Sequence, residues 1–369
     1  MATPIDTIRA VSNEGEGNAA ATVAFKALSA SDTSQIVPIL EGMRGANPLA
    51  ANWLRSAVDV IADRAGSDLP LVDLGEFLLD RSQDPRARRL SFELIATVDP
   101  AVAEAMVPGM LTDPSPELRR DAVAGLSARA EALTKAESTT GAVLLYRQAL
   151  AAAIDVDQIK SIAKQLRGLG RKVDLPRQFG FLTHWQVIAP FDNTGRVGFD
   201  GVFPPEEGID LSETYDGKSG PVTWQPLATS DQFGMVDFNK PFGMLKEVTG
   251  YAYTIFESEV VRSAEIRLGC KNAWKVWVNG ELLFGRDEYH RGMRIDQYRI
   301  PVQLEAGKNT ILIKACQNEQ TEEWTVQWQF QMRVCDASGT AILAENRRPT
   351  PEANSGRRPR RPNKKEQTK

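Results

Sequence analysis

Trp324-Thr-Val-Gln-Trp-Gln-Phe-Gln-Met-Arg-Val334 sets Trp324, Val326, Trp328, Phe330, Met332 and Val334 in strict alternation with Thr325, Gln327, Gln329, Gln331 and Arg333. A period of two belongs to a strand with one buried and one solvated face, whereas a helix would spread these large side chains around its circumference. A strand of this length is expected centrally in an antiparallel sheet, and its aromatic face requires a second sheet over it. All six apolar side chains are therefore expected in the core.

Working outward, residues 179–345 offer the partners. His184-Trp-Gln-Val-Ile-Ala-Pro-Phe191 reads as a strand that runs into Asp192-Asn-Thr-Gly195, and Gly198 to Gly220 is a Pro/Gly/Asp-rich excursion. Ala264, Ile266 and Leu268 alternate with Glu265 and Arg267. Lys275 to Phe284 is a hairpin around Asn279-Gly280, a pair that tolerates the two positive φ angles of a type I′ turn. That hairpin puts Trp277 on one face with Lys275, Leu282 and Phe284, opposite Trp274, Val276, Val278 and Leu283. Tyr298 to Leu304 and Asn309 to Cys316 form another hairpin, in which Pro301 signals an edge or a bulge.

Residues 1–178 have a different composition: thirty-one Ala against ten in 179–345, but only five of the twenty-seven aromatic residues. Such a shift marks helices packed through small side chains ahead of a β domain. Three segments superpose: Arg55-Ser-Ala57-Val58-x-x-Ile61, Arg89-Leu-Ser91-Phe92-x-x-Ile95 and Arg120-Asp-Ala122-Val123-x-x-Leu126. Helix-start signals precede them at Asn47-Pro48, Asp84-Pro85, and Asp113-Pro114 with Ser115-Pro116. Ile36 to Met43, Leu74 to Leu79 and Ala103 to Leu111 are read as their partner helices. No single pair could bury its face alone, so stacking is expected. Gly141 to Ala153 and Asp157 to Leu169 form one more pair, a closing cap.

The repeated segments, with Asp-Pro ahead of an Arg-bearing second helix, resemble HEAT repeats, which implies an α-solenoid with a protein-binding surface. Trp274-Lys-Val-Trp-Val-Asn-Gly280, Leu304-Glu-Ala-Gly-Lys-Asn-Thr-Ile-Leu-Ile-Lys314, the strand from Trp324 and the entry at Trp185 to Phe191 resemble the galactose-binding-like jelly-roll modules attached to many glycan-acting bacterial proteins. That resemblance implies a β-sandwich used for carbohydrate binding or as a structural accessory, and it transfers no binding residue by position. The expected fold class is thus an N-terminal HEAT-like α-solenoid followed by an antiparallel jelly-roll β-sandwich. Its divisions are 1–135 for the repeats, 136–178 for the capping pair and linker, 179–345 for the sandwich and 346–369 for a disordered basic tail.

The formal charge of -4 conceals this tail, where nine Lys or Arg face Glu352 and Glu366, a net of +7 that leaves -11 on the body. An acidic body argues against a nucleic-acid-binding fold and confines any polyanion contact, itself weak, to the tail. No apolar run approaches the ~18 residues of a spanning helix. The N-terminal residues lack a basic start and an apolar stretch, so the expected compartment is the cytoplasm, or the exterior if a leader precedes this sequence. Cys270, Cys316 and Cys335 have no Cys-x-x-Cys spacing and are expected as reduced core thiols.

For chemistry the chain presents few groups. There is no His/Cys cluster for zinc, no phosphate loop and no calcium loop, so no cofactor or metal is expected. His184 lies at a strand boundary without a nucleophile motif. Gly285-Arg-Asp-Glu-Tyr-His-Arg-Gly292 is dense with ionisable groups, which either make a polar site or pin two strands through salt bridges. Sugar rings stack on indoles and need polar side chains nearby, so the candidate ligand-binding residues are Asp192, Asn193, Trp277, Arg286, Asp287, Tyr289, His290 and Arg291. For Trp277, packing in a core competes with that role. The expected function is non-catalytic binding or scaffolding, with a protein partner on the helices and a glycan on the sandwich. The alternatives are a component or enzyme of carbohydrate processing with its site at Arg286 to Arg291, and a polyanion binder working through the tail.

Overall fold

The computed structural model describes residues 2–352 and divides into two compact units, 1–173 and 174–369. Helices come first and antiparallel sheets follow.

The first unit contains α1 (Pro4–Arg9), α2 (Asn18–Ser29), α3 (Ile36–Gly42), α4 (Pro48–Ala65), α5 (Leu71–Leu79), α6 (Pro85–Val98), α7 (Pro100–Met106), α8 (Pro116–Lys135), α9 (Thr139–Ala152) and α10 (Val156–Gly168). Asn47 Oδ1 accepts from the Ala50 amide at 2.8 Å and Asp84 Oδ1 from Arg86 at 2.9 Å, each with proline at the first helical position. These caps satisfy amides the helix leaves open. Asp113 is used differently. It takes the Arg88 guanidinium on both oxygens, at 2.6 and 2.7 Å, and both residues are only 2% exposed. The three superposed arginines join successive second helices: Arg55 meets Glu93, Arg89 meets Glu93 and Asp121, and Arg120 meets Asp155 and Asp157. One apolar core, from Ile8 and Leu28 through Leu54, Val58 and Ile61 to Leu90, Ile95 and Leu118, runs beneath them.

In the second unit the strands are β1 (His184–Asp192), β2 (Thr214–Gly217), β3 (Gly220–Thr223), β4 (Gln225–Ala228), β5 (Val236–Asp237), β6 (Val248–Ser258), β7 (Arg262–Cys270), β8 (Ala273–Val278), β9 (Glu281–Arg286), β10 (Tyr298–Leu304), β11 (Gly307–Gln317) and β12 (Gln329–Cys335). They form a six-stranded sheet ordered β4-β1-β6-β11-β8-β9, a four-stranded sheet ordered β10-β7-β12-β5, and a β2-β3 pair. Val187, Ala252, Val276 and Ile313 of the larger sheet share a core with Ile266, Leu268, Phe330 and Met332 of the smaller one. Pro301 sits on the edge strand β10, the position to which a residue without an amide donor is largely confined. The three cysteines are free and buried, and burial pushes their thiols up, Cys270 to about 12 and Cys316 and Cys335 to about 11.

The stretch from Trp324 departs from expectation in three ways. Only Gln329–Cys335 is strand, while Glu323–Thr325 is a 3₁₀ turn held by Thr325 Oγ1, which donates to the carbonyls of Gln320 and Glu322. Trp324 is consequently 62% exposed, whereas Trp328, Phe330, Met332 and Val334 are buried. Nor is the opposite face wet. Gln331 and Arg333 are 3% and 2% exposed, and Arg333 donates to both oxygens of Asp296 and, at 3.1 Å, to the Phe179 carbonyl. On one side β12 pairs with β7 along its length, but its other neighbour, β5, has two residues, so it is central only in part.

The Asn279-Gly280 turn has φ of 52° and 81°, as a type I′ turn requires. Beyond it the register shifts between Val276 and Trp277, so Phe284 lies opposite Val276, with its ring 5.8 Å from that of Trp274. Trp277 is thereby separated from Phe284 and is 8% exposed, in a second apolar layer with Ile188, Phe191, Tyr251, Tyr253 and Leu312. Phe203 of the excursion, with Val222 and Trp224 just beyond it, closes over that layer.

Candidate functional site

Three of the eight candidate residues meet at one end of the sandwich. Asn193, fully buried, donates through Nδ2 to the Gln317 carbonyl at 2.9 Å and to the Tyr289 hydroxyl at 3.2 Å. His290, at φ 56°, donates its backbone N–H to the Lys271 carbonyl at 2.7 Å and presents Nε2 to Asn318 Oδ1 at 2.6 Å. Its ring stands edge-on to exposed Trp324, with centroids 5.6 Å apart and planes at 88°. The Arg196 guanidinium lies 5.2 Å from the Tyr289 ring centroid and is ion-paired to Glu319 at 2.5 Å.

Asp192 sits beside this group without joining it. Its Oδ1 accepts from the Thr194 hydroxyl at 2.7 Å and meets Lys218 Nζ at 3.0 Å, which closes the turn after β1. Arg286, Asp287 and Arg291 are exposed, and Glu288 lies 3.7 Å from Arg286 and 3.6 Å from Arg291. Trp277 leaves the candidate set, because the excursion that covers its layer occupies the face a sugar would need.

Ion pairs and burial set the electrostatics of this group. The hydrogen bond from Arg196 holds Glu319 down at about 2, and the Thr194 and Lys218 bonds lower Asp192. A carboxylate held low by a cation is a poor proton donor at neutral pH. Burial, outweighing the bond to Asn318, depresses His290, with Lys246 and Arg196 adding to the effect, so its ring is neutral near pH 7. Among the described residues no three His, Cys, Asp or Glu side chains gather as a metal site requires.

Arg196, Asn318 and Glu319 are absent from the ligand-binding candidates read from sequence, and Trp324 was expected there in the core. A signal exists: Gln317-Asn-Glu-Gln-Thr-Glu-Glu323 is seven polar residues in a row, which argues for a turn that ends at Trp324 rather than a strand beginning there.

No family model matches the chain, and no curated protein matches it. Among solved structures it is similar to a beta-glucuronidase of Faecalibacterium prausnitzii, with 15% identity and a TM-score of 0.22, covering 38% of this chain and 21% of that one. It is also similar to a GH31 alpha-xylosidase of Xanthomonas citri, with 10% identity and a TM-score of 0.22, covering 42% of this chain and 16% of the enzyme. The chain therefore spans a small part of either enzyme, and likeness at this level carries nothing about activity.

Proposed function

We propose that this protein is a non-catalytic binding protein. In this reading the first unit is a HEAT-like α-solenoid offering a protein-contact surface, and the second is a jelly-roll sandwich of the galactose-binding-like type that takes a glycan beside Trp324. The observation that carries it is Trp324 itself: a largely exposed indole set at right angles to the His290 ring, which buried Asn318 holds in place through Nε2. An exposed aromatic face takes the C–H side of a sugar ring, and amide and charged groups around it take hydroxyls.

The test is a glycan array probed with the full chain, followed by titration of any retained oligosaccharide against wild type and Trp324→Ala. Binding at least tenfold weaker in the variant, about 1.4 kcal/mol, with an unchanged melting temperature is the expected result. Retention of no glycan, or equal affinity for both proteins, would overturn the reading. Release of shortened sugars from the array would instead favour the carbohydrate-processing enzyme.

A further inference from the structure

A cavity of about 290 Å³ lies within the second unit, and Trp324 is not part of its lining. The start of β1 (Thr183 to Gln186), Tyr253 to Ile255 of β6, Leu211 of the excursion and the segment Ala344 to Arg348 enclose it. Its volume is at the lower end for small-molecule sites.

Unpaired hydrogen-bonding groups collect here beside two arginines. Arg347 is anchored by Nη1, which donates to the Phe181 carbonyl at 2.8 Å, but its Nη2 is buried and has no partner. Among the described residues Arg348 has no ion pair or hydrogen bond, and neither has the Gln186 side chain or the Tyr253 hydroxyl. His184 engages only Nδ1, at 3.0 Å from Thr183 Oγ1, and Nε2 remains available. No Asp or Glu lines the cavity. The carboxylate whose charge reaches Arg347, Asp174, already accepts from the Arg177 amide at 3.0 Å and the Thr350 hydroxyl at 2.9 Å. Arg347 Nη2 is thus a buried donor without an acceptor among the described residues, and the exposed Arg348 sets a second guanidinium at the same cavity. An anion in the cavity would accept from Arg347 Nη2 and meet the charge of both arginines. Leu182, Leu211 and Ile255 supply an apolar wall for the body that carries it.

We infer that this cavity is a binding site for a small organic oxyanion, a carboxylate or phosphate on a compact apolar or ring body, gripped by Arg347 and Arg348 and oriented by Gln186 and Tyr253. The guanidinium fork matches two oxygens of either group, which a lysine in the same place would not do. The site is independent of the glycan reading at Trp324.

Calorimetric titration of the full chain with benzoate and with phenyl phosphate, at low and at physiological salt, tests it, with benzyl alcohol as the neutral control. Saturable one-to-one binding of at least one anion and none of the alcohol is expected. Arg348→Ala and Gln186→Ala should each weaken it, the former at least tenfold, while Trp324→Ala leaves it unchanged. The stronger of the two anions identifies the carboxylate or phosphate class. Absence of saturable binding to either anion overturns the inference. So does wild-type affinity in both cavity variants, which would place the anion elsewhere on the basic surface.

Discussion

Trp328 and Trp324 lie one helical turn apart in sequence and in opposite environments. Trp328 is fully buried, its ring stacked 4.8 Å from Phe238 and its indole nitrogen donating to the Ala315 carbonyl at 3.0 Å. Trp328→Ala should therefore cost ~3–5 kcal/mol in urea unfolding, and Trp324→Ala should stay within ~0.5 kcal/mol. A loss below about 1 kcal/mol for Trp328 would contradict this packing. Asp296 makes a comparable prediction for charge. It lies between Arg267 and Arg333, both almost fully buried. Burial alone would raise its carboxyl, but the bonds and charges of the two arginines outweigh that and hold it below the ordinary value. Asp296→Asn leaves buried Arg333 without its counter-charge, while Arg267 keeps Glu265 at 2.7 Å, and should cost ~3–5 kcal/mol. With the folded pKa below the unfolded one, the stabilisation is complete above about pH 4 and disappears as pH falls through the folded value. Melting temperatures measured from pH 7 to pH 2 should thus fall more steeply for wild type than for the variant.

At the scale of elements, one strand holds a loop in place. Lys314 of β11 is fully buried, and its three donors go to the carbonyls of Phe199 (3.1 Å) and Gly201 (2.6 Å) and to Glu206 Oε1 (2.8 Å). Glu206 also accepts from the Tyr251 hydroxyl. Every bond secures the excursion over the Trp277 layer. Lys314→Met strands the Glu206 carboxylate and should cost ~3–5 kcal/mol, with protease cleavage appearing between 198 and 212 and a red shift in tryptophan emission. Adding Glu206→Gln should recover part of the loss, and cleavage unchanged from wild type would show that apolar contacts alone hold the loop. The neighbouring hairpin divides what was readable from what was not. Asn279-Gly280 announced its turn because few dipeptides accept two positive φ angles. The bulge at Val276 and Trp277 carried no such signal, since it depends on how β9 fits the edge of a sheet assembled from remote strands.

Across the whole molecule, the packed chain continues past the expected end of the sandwich at 345. Asn346 accepts from the Glu257 amide at 3.2 Å and donates to the Ile255 carbonyl at 3.1 Å, and Arg347 and Thr350 add bonds to Phe181 and Asp174. The rest of the expected disordered tail, residues 353–369, lies outside the described residues. Truncation after Glu345 should lower stability by ~2–4 kcal/mol, about 0.5–1 kcal/mol for each of the four lost bonds. Truncation after Glu352 should leave the melting temperature unchanged and remove most retention on heparin at low salt, because its many Lys and Arg act through counterion release. Equal heparin affinity with and without 353–369 would place polyanion binding on the acidic body. By itself the sequence determined the order of helices then strands, the repeated arginines, the second-helix starts and the buried residues from Trp328 to Val334, because periodicity, caps and turn dipeptides are properties of neighbours along the chain. Only the tertiary structure decided that Trp324 faces solvent, that Trp277 is roofed over, that Arg333 is buried against Asp296, and that Arg347 and Arg348 face a cavity with His184. Each of these depends on which remote segment arrives over a given face, and burial of one side chain by another 30 to 160 residues away leaves no local periodicity to read.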